Sequence, residues 1–169
     1  MNMIVAFCKN RGIGIGNTLP WHIQDELKYF KHLTSSNGND CIIMGKNTWL
    51  SLPKKPLPKR TNIILSNSLK KNILPKNTLL FNNKENLIKY VTEKKHTSWV
   101  IGGEKIYNSF ISSNELEKIY VTFINKKYYC DTFFPEIPNN FKCIEKSSYK
   151  MSNNIFYRFE IYKKFRNTR

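Results

Sequence analysis

A chain of 169 residues with 40% hydrophobic and 14% aromatic content has the length of one domain and the composition of a packed globule, which excludes a disordered tail or linker. Its formal charge of +16 predicts salt-sensitive adhesion to nucleic acid, but the basic residues are scattered beside turns, which argues against a dedicated nucleic-acid module. No apolar run nears the roughly 20 residues that cross a bilayer, no export signal is evident, and Cys8, Cys41, Cys130 and Cys143 are far apart with no Cys-x-x-Cys, so a cytoplasmic protein with free thiols, no metal site and no membrane partner is expected.

Met3 to Cys8 is apolar without alternation, the mark of a strand covered on both faces of a mainly parallel sheet. Arg11 to Trp21 follows, with glycines at 12, 14 and 16. Their spacing is not that of a dinucleotide fingerprint, and the segment runs into Pro20 before any helix begins. A mobile loop beside a ligand is expected instead, anchored by Leu19, Pro20 and Trp21.

The next stretch, Leu19 to Phe30, reads as a helix with a carboxylate on its greasy side. At about 100° per residue, Ile23, Leu27, Tyr29, Phe30 and Leu33 share an arc with Glu26, while Asp25, Lys28, Lys31 and His32 turn toward water. Burying a lone carboxylate costs several kcal/mol. Either Glu26 is a boundary residue reaching solvent, or a ligand supplies its partner.

Beyond a polar stretch with an Asn37-Gly38 turn, the strand Cys41 to Met44 leads directly into Gly45-Lys46-Asn47-Thr48, a junction suited to a phosphate although not a Walker motif. Pro53, Pro56 and Pro58 make an extended connection up to Arg60. Asn62 to Leu65 is a buried strand ending in Ser66-Asn67-Ser68, and Thr78 to Phe81 is another strand. Asn86 to Lys95 is a helix with Leu87, Ile88 and Val91 inward. Ser98 to Ile101 is a strand running into Gly102-Gly103, with a helix from about Glu104. Glycines at such a strand end let backbone approach a pyrophosphate, but they are also common for steric reasons alone. From Glu117 the pattern becomes β: Ile119 to Ile124, Phe141 to Tyr149 and Ile155 to Phe165, the last two joined by Met-Ser-Asn-Asn as an antiparallel hairpin. The expected fold class is α/β, a mainly parallel central sheet with helices on both faces and a C-terminal antiparallel hairpin, in a single domain over 1–169.

Ile4-Val-Ala6, Leu19-Pro-Trp21, Glu26-Leu-x-x-Phe30, Ile43-Met-Gly45, Thr48-Trp49, Leu57-Pro58, Arg60, Asn62-Ile-Ile-Leu-Ser66, Ile101-Gly-Gly103, Tyr107, Thr122 and Asp131-Thr-x-Phe-Phe-Pro135 stand in one order over most of the chain. In that order and spacing the chain resembles the dihydrofolate reductases. The resemblance implies that Glu26 holds the pteridine through its 2-amino group and N3, with Thr122 hydrogen-bonded to the acid and Leu19 and Trp21 in the loop that closes over the nicotinamide. It implies a substrate pocket of Ile4, Val5, Ala6, Leu27, Phe30, Ser51, Leu52, Leu57, Ile101 and Tyr107, with Arg60 gripping the glutamyl α-carboxylate, a bidentate task.

NADPH is the implied cofactor. Its implied contacts are Ala6, Ile13, Asn17, Gly45, Lys46, Thr48, Leu65, Ser66, Asn67, Gly102, Gly103, Glu104, Lys105 and Ile106, with Lys46 and Ser66 at the 2′-phosphate and a cis peptide joining Gly102 to Gly103. Many relatives carry Arg where this chain has Lys46. The implied reaction is hydride transfer to C6 of 7,8-dihydrofolate with protonation at N5, in a monomer that also binds antifolates such as methotrexate. Two alternatives compete: a pyrimidine reductase-like enzyme of riboflavin synthesis, which would not be expected to pair an inward Glu26 with Arg60, and a basic nucleic-acid-binding module.

Overall fold

Every short apolar run read from the sequence is a strand of one sheet. The structure, a computed structural model, describes residues 1–35 and 38–165. In chain order the elements are β1 (Asn2–Cys8), β2 (Gly12–Gly14), α1 (Gln24–Thr34), β3 (Cys41–Gly45), α2 (Lys46–Ser51), β4 (Thr61–Leu65), β5 (Thr78–Phe81), α3 (Lys84–Lys94), β6 (Ser98–Gly102), α4 (Glu104–Phe110), β7 (Lys118–Ile124), β8 (Thr132–Phe133), β9 (Phe141–Lys146), β10 (Lys150–Ser152) and β11 (Ile155–Lys164). Part of the expected Asn37-Gly38 turn, and the basic tail beyond Phe165, lie outside the described residues.

The main sheet runs β10-β11-β7-β1-β6-β3-β4-β5, with β9 also paired to β11. Strands β7, β1, β6, β3, β4 and β5 are parallel, and β11 lies antiparallel to β7. This is the expected architecture. Residues alternate between two cores because successive side chains of a strand point to opposite faces. Met3, Val5, Ile43, Ile63 and Val100 pack with Leu87, Val91, Ile106 and Phe110 of α3 and α4. On the other face Ile4, Ile42, Met44, Ile64 and Ile101 pack with Trp49 of α2 and with Phe30 and Leu33 of α1.

Two local features position the site. The side chain of buried Asn62 accepts from Leu57 N at 2.9 Å and donates to the carbonyls of Leu57 and Arg60 at 2.9 and 3.0 Å. It therefore ties the proline-rich connection to a core strand. At the other end of the chain, Asn153 and Asn154 both take left-handed conformations, φ 50° and 59°, as a tight hairpin turn requires.

Two expectations are corrected. Arg11 to Trp21 is not wholly loop, since β2 pairs with β8 in a separate two-stranded ribbon and Ile15 bridges Thr18. Glycines carry no side-chain alternation by which a strand can be read. The strand expected over Phe141 to Tyr149 ends at Lys146 as β9, where the Ser147 hydroxyl accepts from Phe159 N at 3.0 Å, and a separate strand, β10 (Lys150–Ser152), forms the hairpin with β11 from residues expected to belong partly to the turn.

Candidate functional site

Glu26 is 9% exposed, on the first turn of α1. Among the described residues it has no hydrogen-bond or salt-bridge partner, and burial pushes its carboxyl from an ordinary 4.5 up to about 7. Asp25 points the other way. Its side chain is 57% exposed, lies 3.7 Å from Lys28 Nζ, and accepts from the Tyr157 hydroxyl at 3.0 Å. The helical periodicity therefore separated the two neighbours correctly, and Glu26 faces inward.

Around Glu26 the surface is apolar. Leu19 and Leu27 are 50% and 45% exposed, and Phe30, Leu52 and Leu57 are partly buried against the α1–α2 core. Trp21 is buried, packs edge-on to Tyr128 at 5.5 Å, and its indole N–H has no acceptor among the described residues. Tyr107 is fully buried, with its hydroxyl 2.8 Å from the Ile4 carbonyl and 2.9 Å from the Ile101 carbonyl. It clamps β1 to β6 with one shared proton. Burial, and then the Glu26 charge, raise its pKa far above that of an ordinary phenol, so Tyr107 stays a donor. Ala6, between Val5 and Phe7, pairs in register with Thr122 of β7. Thr122 is buried, but among the described residues it makes no direct hydrogen bond to Glu26, contrary to the expectation.

Arg60 stands beyond the far end of α1. Its Nη1 donates to Thr34 Oγ1 at 2.8 Å, its Nε donates to the Pro58 carbonyl at 3.0 Å, and its guanidinium lies 5.9 Å from the Phe30 ring centre. Arg60 also lines a concavity of about 410 Å³ with Lys59, Asn77 and Tyr90. Ser51 turns back on its own helix, donating to the Thr48 carbonyl at 2.8 Å.

A second group of residues converges where β3 and β6 end side by side, with Met44 opposite Gly102. A Cβ on Gly45 would stand 2.9 Å from Ile106, one on Gly103 would stand 3.3 Å from Thr48 Oγ1, and Gly102, at φ 117°, is pressed against the Tyr107 ring. Gly45 and Gly102 need glycine because helix and ring press on the backbone there, while at Gly103 the Thr48 hydroxyl would have to give by only a few tenths of an ångström. The Gly102–Gly103 peptide is cis, as expected. Gly45 and Gly103 cap α2 and α4, and neither helix start has a side-chain cap.

Beside them Lys46 Nζ donates to Ser68 Oγ at 3.2 Å, and Ser66 Oγ lies 3.4 Å from Ser68 Oγ. Lys46 and Ser66 thus meet through a shared neighbour, Ser68. Ser68 joins them although sequence reading passed over it, and the Ser-x-Ser spacing was its available signal. Leu65 pairs with Gly45 in register, Asn67 follows Ser66 at the strand's end, and Lys105 is exposed on α4. Glu104 is engaged elsewhere. Its carboxylate accepts from Phe133 N at 3.0 Å, tying α4 to the ribbon that carries Ile13, while Asn17 sits at φ 60° beyond it. Among the described residues no cluster of three His, Cys, Asp or Glu side chains is arranged to hold a metal.

The family model for dihydrofolate reductase matches residues 1–164. The chain is 38% identical to dihydrofolate reductase of Drosophila melanogaster, covering 96% of this chain and 97% of that one. It is 36% identical to a viral dihydrofolate reductase of Saimiriine herpesvirus 2, over 99% and 86%, and 34% identical to dihydrofolate reductase of Gallus gallus, over 97% and 96%.

Proposed function

The chain belongs to the dihydrofolate reductase family, and from that premise we propose that it reduces 7,8-dihydrofolate to tetrahydrofolate at the Glu26 recess with NADPH. The observation that carries this reading is Glu26 itself: a buried carboxyl with no hydrogen-bond partner among the described residues, raised to about 7, with Leu19 and Leu27 exposed on the same surface. A flat heterocycle with two adjacent N–H donors completes that site, since it supplies hydrogen bonds to the acid and apolar faces to Leu19, Leu27 and Phe30.

Glu26 orients the pteridine through its 2-amino group and N3. Ile4, Val5, Ala6, Ile101 and Tyr107 form the sheet edge beneath the ring. Phe30, Ser51, Leu52 and Leu57 flank the middle of the substrate, and Arg60 grips the α-carboxylate at its far end. Because Glu26 serves the ring's amino side, a water carries the proton to N5. The unmatched Trp21 N–H and the Thr122 hydroxyl are the polar groups offered to ordered water near that path. The β2 ribbon and Leu19 exclude bulk water.

The residues at the ends of β3, β4 and β6 fit a dinucleotide. At Gly45 and Gly102 a Cβ would crowd Ile106 and the Tyr107 ring, Gly103 keeps the approach beside Thr48 open, and Thr48, Lys105 and Ile106 border that cradle. Lys46, Ser66 and Asn67, with Ser68, gather donors for a 2′-phosphate. When bound, NADPH supplies the hydride. This chain supplies placement and electrostatics. The enzyme works as a cytoplasmic monomer and binds antifolates such as methotrexate in the same recess. Dihydrofolate-dependent loss of NADPH absorbance, blocked by methotrexate, is the expected result. Loss of absorbance only with a riboflavin-pathway pyrimidine would favour the alternative enzyme and overturn this reading.

A further inference from the structure

Two buried thiols meet beneath the ribbon and take no part in the reaction proposed above. Cys8 ends β1, and Cys130 lies just before β8; both are buried in an apolar cluster with Trp21, Ile23, Ile124 and Tyr157. Gly12 forms the roof over both sulfurs. A Cβ there would overlap the Cys130 sulfur and stand 3.1 Å from the Cys8 sulfur. A single Cβ position at Gly12 thus lies close to both sulfurs at once, and the Cys8 thiol donates to Asn10 Oδ1 at 2.9 Å. Cys41, buried at the start of β3, and Cys143, exposed within β9, are free cysteines on other strands.

The position of the pair gives it leverage. Asp131, the next residue after Cys130, donates its N–H to the Gly14 carbonyl at 3.0 Å and accepts from Gly16 N at 2.8 Å. Thr132 adds a bond from its hydroxyl to the same Gly14 carbonyl at 3.2 Å. Any movement of Cys130 toward β1 therefore drags the anchor of the glycine segment with it.

We infer that Cys8 and Cys130 form a redox-modifiable dithiol, which a peroxide closes to a disulfide that pins the glycine ribbon and slows turnover. Hydrogen peroxide is small and uncharged, as access to a buried pair requires. The Cys130 sulfur attacks one peroxide oxygen, the S–O bond forms as O–O breaks, and the first water leaves. The Cys8 sulfur then attacks the resulting sulfenic acid, S–S forms as S–O breaks, and the second water leaves. Two electrons pass from the two sulfurs to the peroxide, and both thiol protons end in water. Burial, and next the neighbouring Cys8, raise the Cys130 thiol above its ordinary range. The pair is consequently slow to react while the ribbon is closed and reacts faster as it opens.

The test uses the full chain carrying Cys143→Ser, which removes the exposed thiol. After peroxide treatment, peptide mass mapping is expected to show Cys8 joined to Cys130 with loss of two hydrogens. kcat is expected to fall at least about five-fold and to recover with dithiothreitol. Adding Cys130→Ser should leave untreated kcat within about two-fold and abolish the peroxide effect; Cys8→Ser serves in its place if that variant does not fold. Treated protein without the Cys8–Cys130 linkage, or linked protein with unchanged kcat, overturns the inference. Mass mapping does not depend on the reaction proposed above, whereas inactivity of the untreated protein would count against that reaction alone.

Discussion

Two glutamates are buried among the described residues, and the protein treats them in opposite ways. Glu160 on β11, 3% exposed, accepts from Arg158 Nε at 2.6 Å and from the Tyr162 hydroxyl at 2.7 Å, with Lys146 Nζ at 3.8 Å. Glu26 on α1, almost as deeply placed, has no such partner among the described residues and is raised to about 7. A buried charge must be paired or neutralised. The sheet completes one carboxylate from within, and the other is left for something from outside. Buried acid is thus not in itself a sign of function, whereas buried acid lacking a partner beside exposed apolar surface is one.

Exchange of the two roles should have opposite consequences. Glu26→Gln is expected to lower kcat at neutral pH by about 10² to 10⁴, with NADPH binding retained by fluorescence titration. Asp25→Asn should change turnover little, and equal losses in both variants would erase the distinction between the neighbours. Glu160→Ala is expected to do the reverse. It strands Arg158 and Lys146 and should cost about 3 kcal/mol in urea unfolding, with activity per folded molecule preserved.

The pH dependence of stability separates the two acids further. Because the folded-state pKa of Glu26 lies above its unfolded value, the native state holds a proton that the unfolded chain has lost between pH 4.5 and about 7. Stability from this group is therefore fully present below pH 4.5 and falls as pH rises through that window, by about 3 kcal/mol in all. Glu26→Gln should flatten this slope in denaturation series at pH 5 to 8 and unfold at higher urea than wild type at pH 8. A wild-type slope of the other sign would show that Glu26 is ionised without penalty. The smallest effect is expected at Arg60→Lys. Loss of the planar fork should raise KM for dihydrofolate about ten-fold with kcat little changed.

What could be read from sequence followed what is local. The strands at Ile4, Ile43, Ile63 and Val100 were legible because a strand buried on both faces is a short unbroken apolar run. The inward turn of Glu26 was legible because helical spacing fixes which residues share a face. The β2–β8 ribbon was hidden in glycines that leave no pattern, and the Cys8–Cys130 meeting joins residues from opposite ends of the chain. Ser68 was passed over because its role depends on Lys46, which reaches it across the sheet. The Glu104 carboxylate accepts from Phe133 N, a tie between α4 and the ribbon that no local rule identifies.

The bond from Arg60 to Thr34 has a consequence for molecular size. Thr34 ends the helix whose first turn carries Glu26, and eight residues at 1.5 Å each separate them by about 12 Å along the axis. Asn62 fastens the Arg60 backbone to the sheet, and the guanidinium holds the last turn of α1. On the proposed function the helix is a measuring rod between two jaws: a molecule would be selected by its length as well as by the groups at its ends, and one that carries the right head on too short a body would reach only one jaw.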